Sequence, residues 1–205
     1  MKSMRLTRLA FVILRLVIGA SCVAAPAHVP TPAQVSTEKV RAMAVVRLKG
    51  TPQGGGLHLW IKGRIVPVPT RPGEDLAQIA RDAAVQINVD HEMKSQGVTA
   101  RSQAREIKVD TNEVWVYLCT ADKGLDVPQP PTDLRAEKRD DGMTYLSWKI
   151  PQGGYDRIHI LRGTVPIADG IAGTNTTFAD YAAGEKMTYT VFGIKDGTPS
   201  CAAKI

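Results

Sequence analysis

The side chains able to carry chemistry in this 205-residue sequence are three cysteines, four histidines and several adjacent carboxylates. A metal needs three or four converging ligands, commonly with two of them three or four residues apart so that one helix face presents both. His28, His58, His91 and His159 show no such spacing, and His91-Glu92 is followed by no second histidine at Ser95 or nearby. Gly54-Gly55-Gly56 lacks the Lys-Ser/Thr ending of a phosphate-binding loop and reads as a hairpin turn. Glu74-Asp75 stands where a helix begins and Asp140-Asp141 where the chain turns, both places where acids serve the local backbone. The Asp-Gly pairs beginning at Asp141, Asp169 and Asp196 read as turns as well. No histidine is placed to activate Cys119 or Cys201 as a nucleophile. These absences predict no catalytic residue, no metal site and no cofactor, so an enzyme is not expected. Trp60 and Trp115 sit on alternating strands, where such rings either pack in the core or stack on a sugar; burial is the commoner fate of tryptophan.

Charge points to export rather than to nucleic acid. The chain has 26 Lys plus Arg against 20 Asp plus Glu, a formal +6. Four of the bases, Lys2, Arg5, Arg8 and Arg15, fall in residues 1–27, which contain no acid. That segment has a basic start, an apolar run from Leu9 to Ala20 and the small residues Val23-Ala24-Ala25-Pro26-Ala27, the order of a secretory signal peptide. The run is shorter than the roughly 20 apolar residues a membrane span needs, and Arg15 interrupts it. Cleavage is expected after Ala27, since cleavage after Ala25 would place Pro26 at the scissile bond. The remainder holds 22 bases and 20 acids, or +2, divided as +3 over residues 40–125 and −1 over 126–205. Neither has the basic excess of a phosphate-binding surface, so no nucleic-acid partner is expected. Gly19-Ala20-Ser21-Cys22 resembles the bacterial lipoprotein processing box, in which the cysteine becomes the lipidated first residue, although Gly19 stands where a branched aliphatic is usual. On the other reading Cys22 is a small apolar residue of a discarded peptide. The expected location is periplasmic or extracellular, with a membrane anchor only if Cys22 is lipidated. Asn175-Thr176-Thr177 fits a glycosylation acceptor, which a bacterial export signal gives no reason to use.

Composition divides the exported chain. Residues 28–39, opening His28-Val29-Pro30-Thr31-Pro32, suit an extended tether, and the prolines of 126–132 cannot continue a helix or a central strand. Between them, residues 40–125 read strand, strand, helix, strand, strand: Met43–Leu48, Leu57–Ile61 with Ile65–Val68, a helix from Leu76, then Val98–Ala100, Glu106–Val109 and Val114–Leu118. Leu76, Ile79, Ala80, Ala83 and Ile87 make one buried helical stripe, with Gln78, Arg81, Asp82 and Gln86 opposite. An α+β domain follows, with one helix on an antiparallel sheet. The stretch Leu57 to Ala100 looks like small modules of flagellar hook-associated and phage tail proteins.

Residues 133–205 alternate in short runs separated by turns, the pattern of an all-β sandwich. Leu146 with Trp148, Ile158 with Ile160, and Tyr189 with Val191 each share a strand face. The segments Pro130-Pro131-Thr132-Asp133-Leu134, Trp148 followed by Pro151, the strand ending Arg162-Gly163, and Tyr189 with Val191 together resemble the fibronectin type III family over nearly all of 128–205. The resemblance implies that Trp148 and Tyr189 pack between the sheets. The family's integrin-binding Arg-Gly-Asp is absent, and Lys195-Asp196-Gly197 occupies the corresponding loop. It also implies that Cys201 lies near the preceding domain, close to Cys119. An exported protein commonly bridges an even pair, so an interdomain disulfide Cys119–Cys201 is one expectation and two separately buried thiols the other. The candidate binding surface is one pole of the sandwich, Gln152, Gly153, Gly154, Lys195, Asp196 and Gly197, with exposed strand edges gaining weight if a disulfide partly covers it. The function expected is an exported, non-catalytic binding or scaffold protein presenting two modules to a protein or cell-surface polymer. The alternatives are a structural component of a surface or phage-tail-like assembly, and an accessory carbohydrate-binding protein using Trp60 and Trp115.

Overall fold

The computed structural model describes residues 42–111, 115–181 and 187–205. The segments read as signal peptide and tether, Cys22, His28 and Val114 lie outside these described residues. The first half contains β1 (Ala42–Arg47), β2 (Gln53–Ile61), β3 (Arg64–Pro72), α1 (Leu76–Val89), α2 (His91–Ser95), β4 (Thr99–Gln103), β5 (Glu106–Thr111) and β6 (Val116–Thr120). The second contains β7 (Thr132–Lys138), β8 (Thr144–Lys149), β9 (Arg157–Arg162), β10 (Val165–Ala172), β11 (Thr177–Asp180), β12 (Tyr189–Lys195), β13 (Thr198–Pro199) and β14 (Ala203–Lys204). Both halves belong to one compact unit, residues 39–205.

Helix α1 forms where the three-and-four spacing places it. Asp75 caps it by accepting the Ala77 N–H at 3.1 Å, and Leu76, Ile79, Ala80, Ala83 and Ile87 are buried. Asp90 then caps the short α2, accepting the N–H groups of Glu92 and Met93 at 3.0 Å each. In place of the expected single sheet there are two three-stranded ones, β1-β5-β4 and β3-β2-β6. Helix α1 packs on β3, β4 and β5, so the helical stripe and the inner faces of both sheets share one core. Prolines 67, 69 and 72 are tolerated in β3 because it is an edge strand.

Gly54-Gly55-Gly56 is not a hairpin turn. The three residues lie within β2, where Gly55 and Gly56 pair with Thr70 and Pro69. The physical reason is crowding: a Cβ on Gly55 would lie 3.1 Å from the Ala121 carbonyl oxygen, and one on Gly56 3.3 Å from that of Val68.

The second half is a two-sheet β-sandwich, with β7-β8-β11 facing β10-β9-β12-β13 and β14 pairing with β12. Leu146, Trp148, Ile158, Ile160, Tyr189 and Val191 fill the space between the sheets. Strand β10 is an addition to the sequence reading. Its Asp169-Gly170 pair is not a chain reversal but an irregularity within the strand, where the register against β9 shifts between Ala168 and Ile171 and Gly170 adopts φ +73°.

Candidate functional site

The halves meet through aromatic side chains. Trp115 and Tyr117 of the first pack with Leu161 and Phe192 of the second, all four buried. Tyr117 stands 5.4 Å from Trp60, 6.1 Å from Trp115 and 5.5 Å from Phe192, centroid to centroid, and the Trp115 Nε1–H donates to the Thr164 carbonyl at 3.0 Å. Beside this cluster Cys119 and Cys201 form a disulfide that ties the end of β6 to the segment between β13 and β14. The adjacent Leu118 N–H donates to the Ser200 carbonyl at 3.2 Å. The cysteines are therefore one bridge between the halves rather than two separate buried thiols. Trp115→Phe removes the bond to Thr164 and part of the ring contact, and is expected to cost about 1–2 kcal/mol. A lowered urea midpoint with an unchanged slope would register it.

The same packing answers where the tryptophans point. Trp115 is 4% exposed, and the Lys204 ammonium lies 3.8 Å above the ring of the half-buried Trp60. Burial holds the Lys204 pKa below the usual lysine value. Both rings line a cleft of about 480 Å³ together with Tyr117 and Lys204, whose ammonium covers the Trp60 face.

The six candidate pole residues converge. Asp196 and Gly197 form the tight turn between β12 and β13, with φ +49° and +75°, and the loop from Pro151 to Gly154 connects β8 to β9. Lys195 Nζ bridges the two by donating to the Gly153 carbonyl at 2.7 Å, and the Asp196 N–H donates to Asp156 Oδ2 at 2.6 Å. The first half completes the pole. Lys49 Nζ pairs with Asp196 Oδ2 at 3.1 Å, the Arg47 N–H donates to the Gly197 carbonyl at 3.2 Å, and Thr198 Oγ1 donates to the Arg47 carbonyl at 2.7 Å. A cleft of about 370 Å³ opens among Lys49, Gln129, Gln152, Tyr155, Lys195 and Asp196. Its walls offer ammonium, amide and carboxylate groups, suited to a polar partner surface.

Tyr155 anchors the floor of this cleft. Its ring lies across Gly193, where an added Cβ would come within 2.2 Å of the ring, and its hydroxyl donates to the Gln129 carbonyl at 2.5 Å. Burial pushes its pKa up to about 12, opposed by a hydrogen bond to Ser200, so near neutrality the phenol keeps its proton and donates. Tyr155 thus fixes the proline-rich segment to the sandwich. Sequence reasoning reached Tyr155 only as the first residue of the strand ending at Arg162, and named neither it nor Arg47 nor Lys49 as a site residue. One signal was present: Gly193 interrupts the apolar run Val191-Phe192-Gly193-Ile194, which marks a close approach.

The remaining candidates are dispersed. His58 pairs across β2 and β6 with Cys119, His91 begins α2 at the surface, and His159 Nδ1 lies 2.7 Å from Asp169 Oδ1. Among the described residues no three His, Cys, Asp or Glu side chains converge as metal ligands would, and no helix is long and apolar enough to cross a membrane. Glu74 and Asp75 bind the backbone N–H groups of Arg71 and Ala77, while Asp141 binds that of Met143 and the Tyr145 hydroxyl.

No family model matches the chain, and no curated protein matches it. Among solved structures, the spore cortex lytic enzyme SleM of Clostridium perfringens is 10% identical at a TM-score of 0.34, over 51% of this chain and 33% of that one. The chain thus spans about a third of that enzyme's length. A fibronectin type III domain of human collagen XX is 17% identical at 0.32, over 39% of this chain and 92% of the other, and a two-domain fibronectin type III segment of chicken tenascin is 10% identical at 0.34, over 80% and 96%. The likeness of Leu57 to Ala100 to flagellar hook-associated or phage tail modules finds no support in these comparisons.

Proposed function

We propose that this chain is an exported, non-catalytic binding or scaffold protein whose two modules act as one body and offer the pole around Gln152, Lys195 and Asp196 to a protein or cell-surface polymer. The observation that carries this reading is that the pole is built from both halves, Lys49 from one and Asp196 from the other, while a disulfide at the aromatic junction keeps the halves from separating. A bridge of this kind is also what an oxidising compartment produces, which supports export. A covalent cross-link and a fixed surface are of use to a protein that must hold a geometry outside the cell, whereas the pole contains no nucleophile paired with a base.

The pole is open to substitution without loss of the fold. The Lys49–Asp196 pair is partly exposed and contributes less than about 1 kcal/mol, so Lys49→Ala and Lys195→Ala should leave the urea midpoint nearly unchanged. The test is capture from envelope extract on the immobilised, oxidised protein, with a parallel column carrying Gln152→Ala/Lys195→Ala. The expected outcome is a retained species on the first column that the second loses. Equal retention on both would place the contact elsewhere, and spontaneous polymerisation in size-exclusion chromatography would favour the assembly reading instead.

A further inference from the structure

The segment that forms the pole has a second face. Ile194, Gly197 and Pro199 line a separate cleft of about 310 Å³ between β1 and the β9–β10 pair, together with Val45, Trp115, His159 and Phe192. Two independent features give this cleft a chemistry.

The first is a buried acceptor. His159 lies with its ring on Phe192, 5.1 Å between centroids, and directs Nδ1 at Asp169. Burial lowers the imidazole pKa, Arg157 adds to this, and Asp169 opposes it. The neutral ring therefore carries its proton on Nδ1, toward the carboxylate, and leaves Nε2 as an acceptor. Nε2 is buried and makes no hydrogen bond among the described residues. A buried acceptor without a donor is destabilising, and a ligand N–H or O–H would relieve it.

The second is a strand edge. The Leu48 N–H donates to the Arg105 carbonyl, and β1 pairs with β5 in the register Val46↔Ile107 and Ala44↔Val109. In an antiparallel ladder these alternate residues turn their backbone groups toward β5, so Arg47, Val45 and Met43 turn theirs the other way. Arg47 already uses that edge, since its N–H and carbonyl meet Gly197 and Thr198. The next two positions along the same edge, Val45 and Met43, line the cleft. A donor and an acceptor recurring every second residue are matched by another extended backbone, while Trp115, Phe192 and Ile194 supply apolar walls for its side chains.

We propose that this cleft binds an extended peptide of another protein, which pairs with β1 at Val45 and Met43 and gives a side-chain hydroxyl or amide proton to Nε2 of His159. The site is distinct from the pole, and its failure leaves the reading of the pole untouched.

The probe is a hexapeptide of alternating Thr and Val carrying fluorescein on its N-terminus and an amide at its C-terminus, followed by fluorescence polarisation on the oxidised protein. Val45→Pro removes one outward N–H and spares the β5 ladder, a change that edge strands tolerate, and His159→Phe removes the acceptor while keeping the ring stack. Wild type and Lys195→Ala are expected to bind alike, and Val45→Pro and His159→Phe each to bind about tenfold more weakly. Replacing Thr by Ala in the peptide should bring wild type down to the level of His159→Phe. Far-UV circular dichroism and an intact disulfide establish that each variant is folded. Absence of binding to wild type, or equal binding by either variant, would overturn the proposal.

Discussion

Replacing both Cys119 and Cys201 by serine is expected to lower the free energy of unfolding by about 4.5 kcal/mol. The bridge spans 82 residues of sequence, and closing a loop of that length removes more freedom from the unfolded chain than any single hydrogen bond in this protein contributes to the folded one. The loss should appear as a large fall in the urea midpoint measured against the oxidised wild type, with an increase in the slope because the uncrosslinked unfolded chain exposes more surface. The folded halves are expected to stay in contact in the variant, since Trp115, Tyr117, Leu161 and Phe192 still pack across the junction once the covalent bond is gone. Non-reducing peptide mapping of the exported protein is the accompanying control. A linked Cys119–Cys201 peptide pair is expected, and two free thiols would remove the basis of this prediction.

Asp122→Ala should cost a comparable amount, about 3–5 kcal/mol. The carboxylate is fully buried and accepts four hydrogen bonds: from the backbone N–H groups of Gln53 at 2.9 Å, Gly54 at 3.1 Å and Gly124 at 2.9 Å, and from Thr70 Oγ1 at 2.6 Å. It joins the chain after β6 to the start of β2 and the end of β3, and alanine would leave those donors without a partner away from water. Asp122→Asn keeps part of the network and should cost less. Burial alone would raise the Asp122 pKa, but the Thr70 hydroxyl and the three N–H groups together hold it below the ordinary 3.8. A carboxyl whose folded pKa is lowered contributes stability that is complete above its unfolded pKa and is lost as pH falls through the folded value. The stability gap between wild type and Asp122→Asn should therefore be constant from neutrality down to about pH 4 and shrink below it. A gap that widened on acidification would show that the carboxylate is not the stabilising form.

These two residues differ in how far the sequence exposes them. The cysteines are few and their pairing could be argued from compartment and from the fibronectin-like order of strands. Asp122 offers no such handle, because three of its four donors stand 52 to 69 residues earlier in the chain, and the fourth, the Gly124 N–H, is a contact that any loop carboxylate can make. The three glycines of β2 are a related case: their reasons lie at Pro72, Ala121 and Val68, not in their own neighbourhood. Helix α1 was legible because its apolar period is local, as was the alternation that places Leu146 with Trp148 and Ile158 with Ile160. Strand β10 was not, since Pro166 and the Asp169-Gly170 irregularity break its alternation. At the pole, turn-forming residues marked Gln152 to Gly154 and Asp196 to Gly197 as loops of one sandwich end, but Arg47 and Lys49 reach them from the other half, and only the docking of the halves brings them there.

That docking is the central claim, and differential scanning calorimetry of the oxidised protein tests it most directly. If the aromatic cluster, the disulfide and the pole contacts join both halves into one body, residues 42–205 will unfold in a single transition whose calorimetric and van't Hoff enthalpies agree. Two resolved transitions, one for each half, would contradict it.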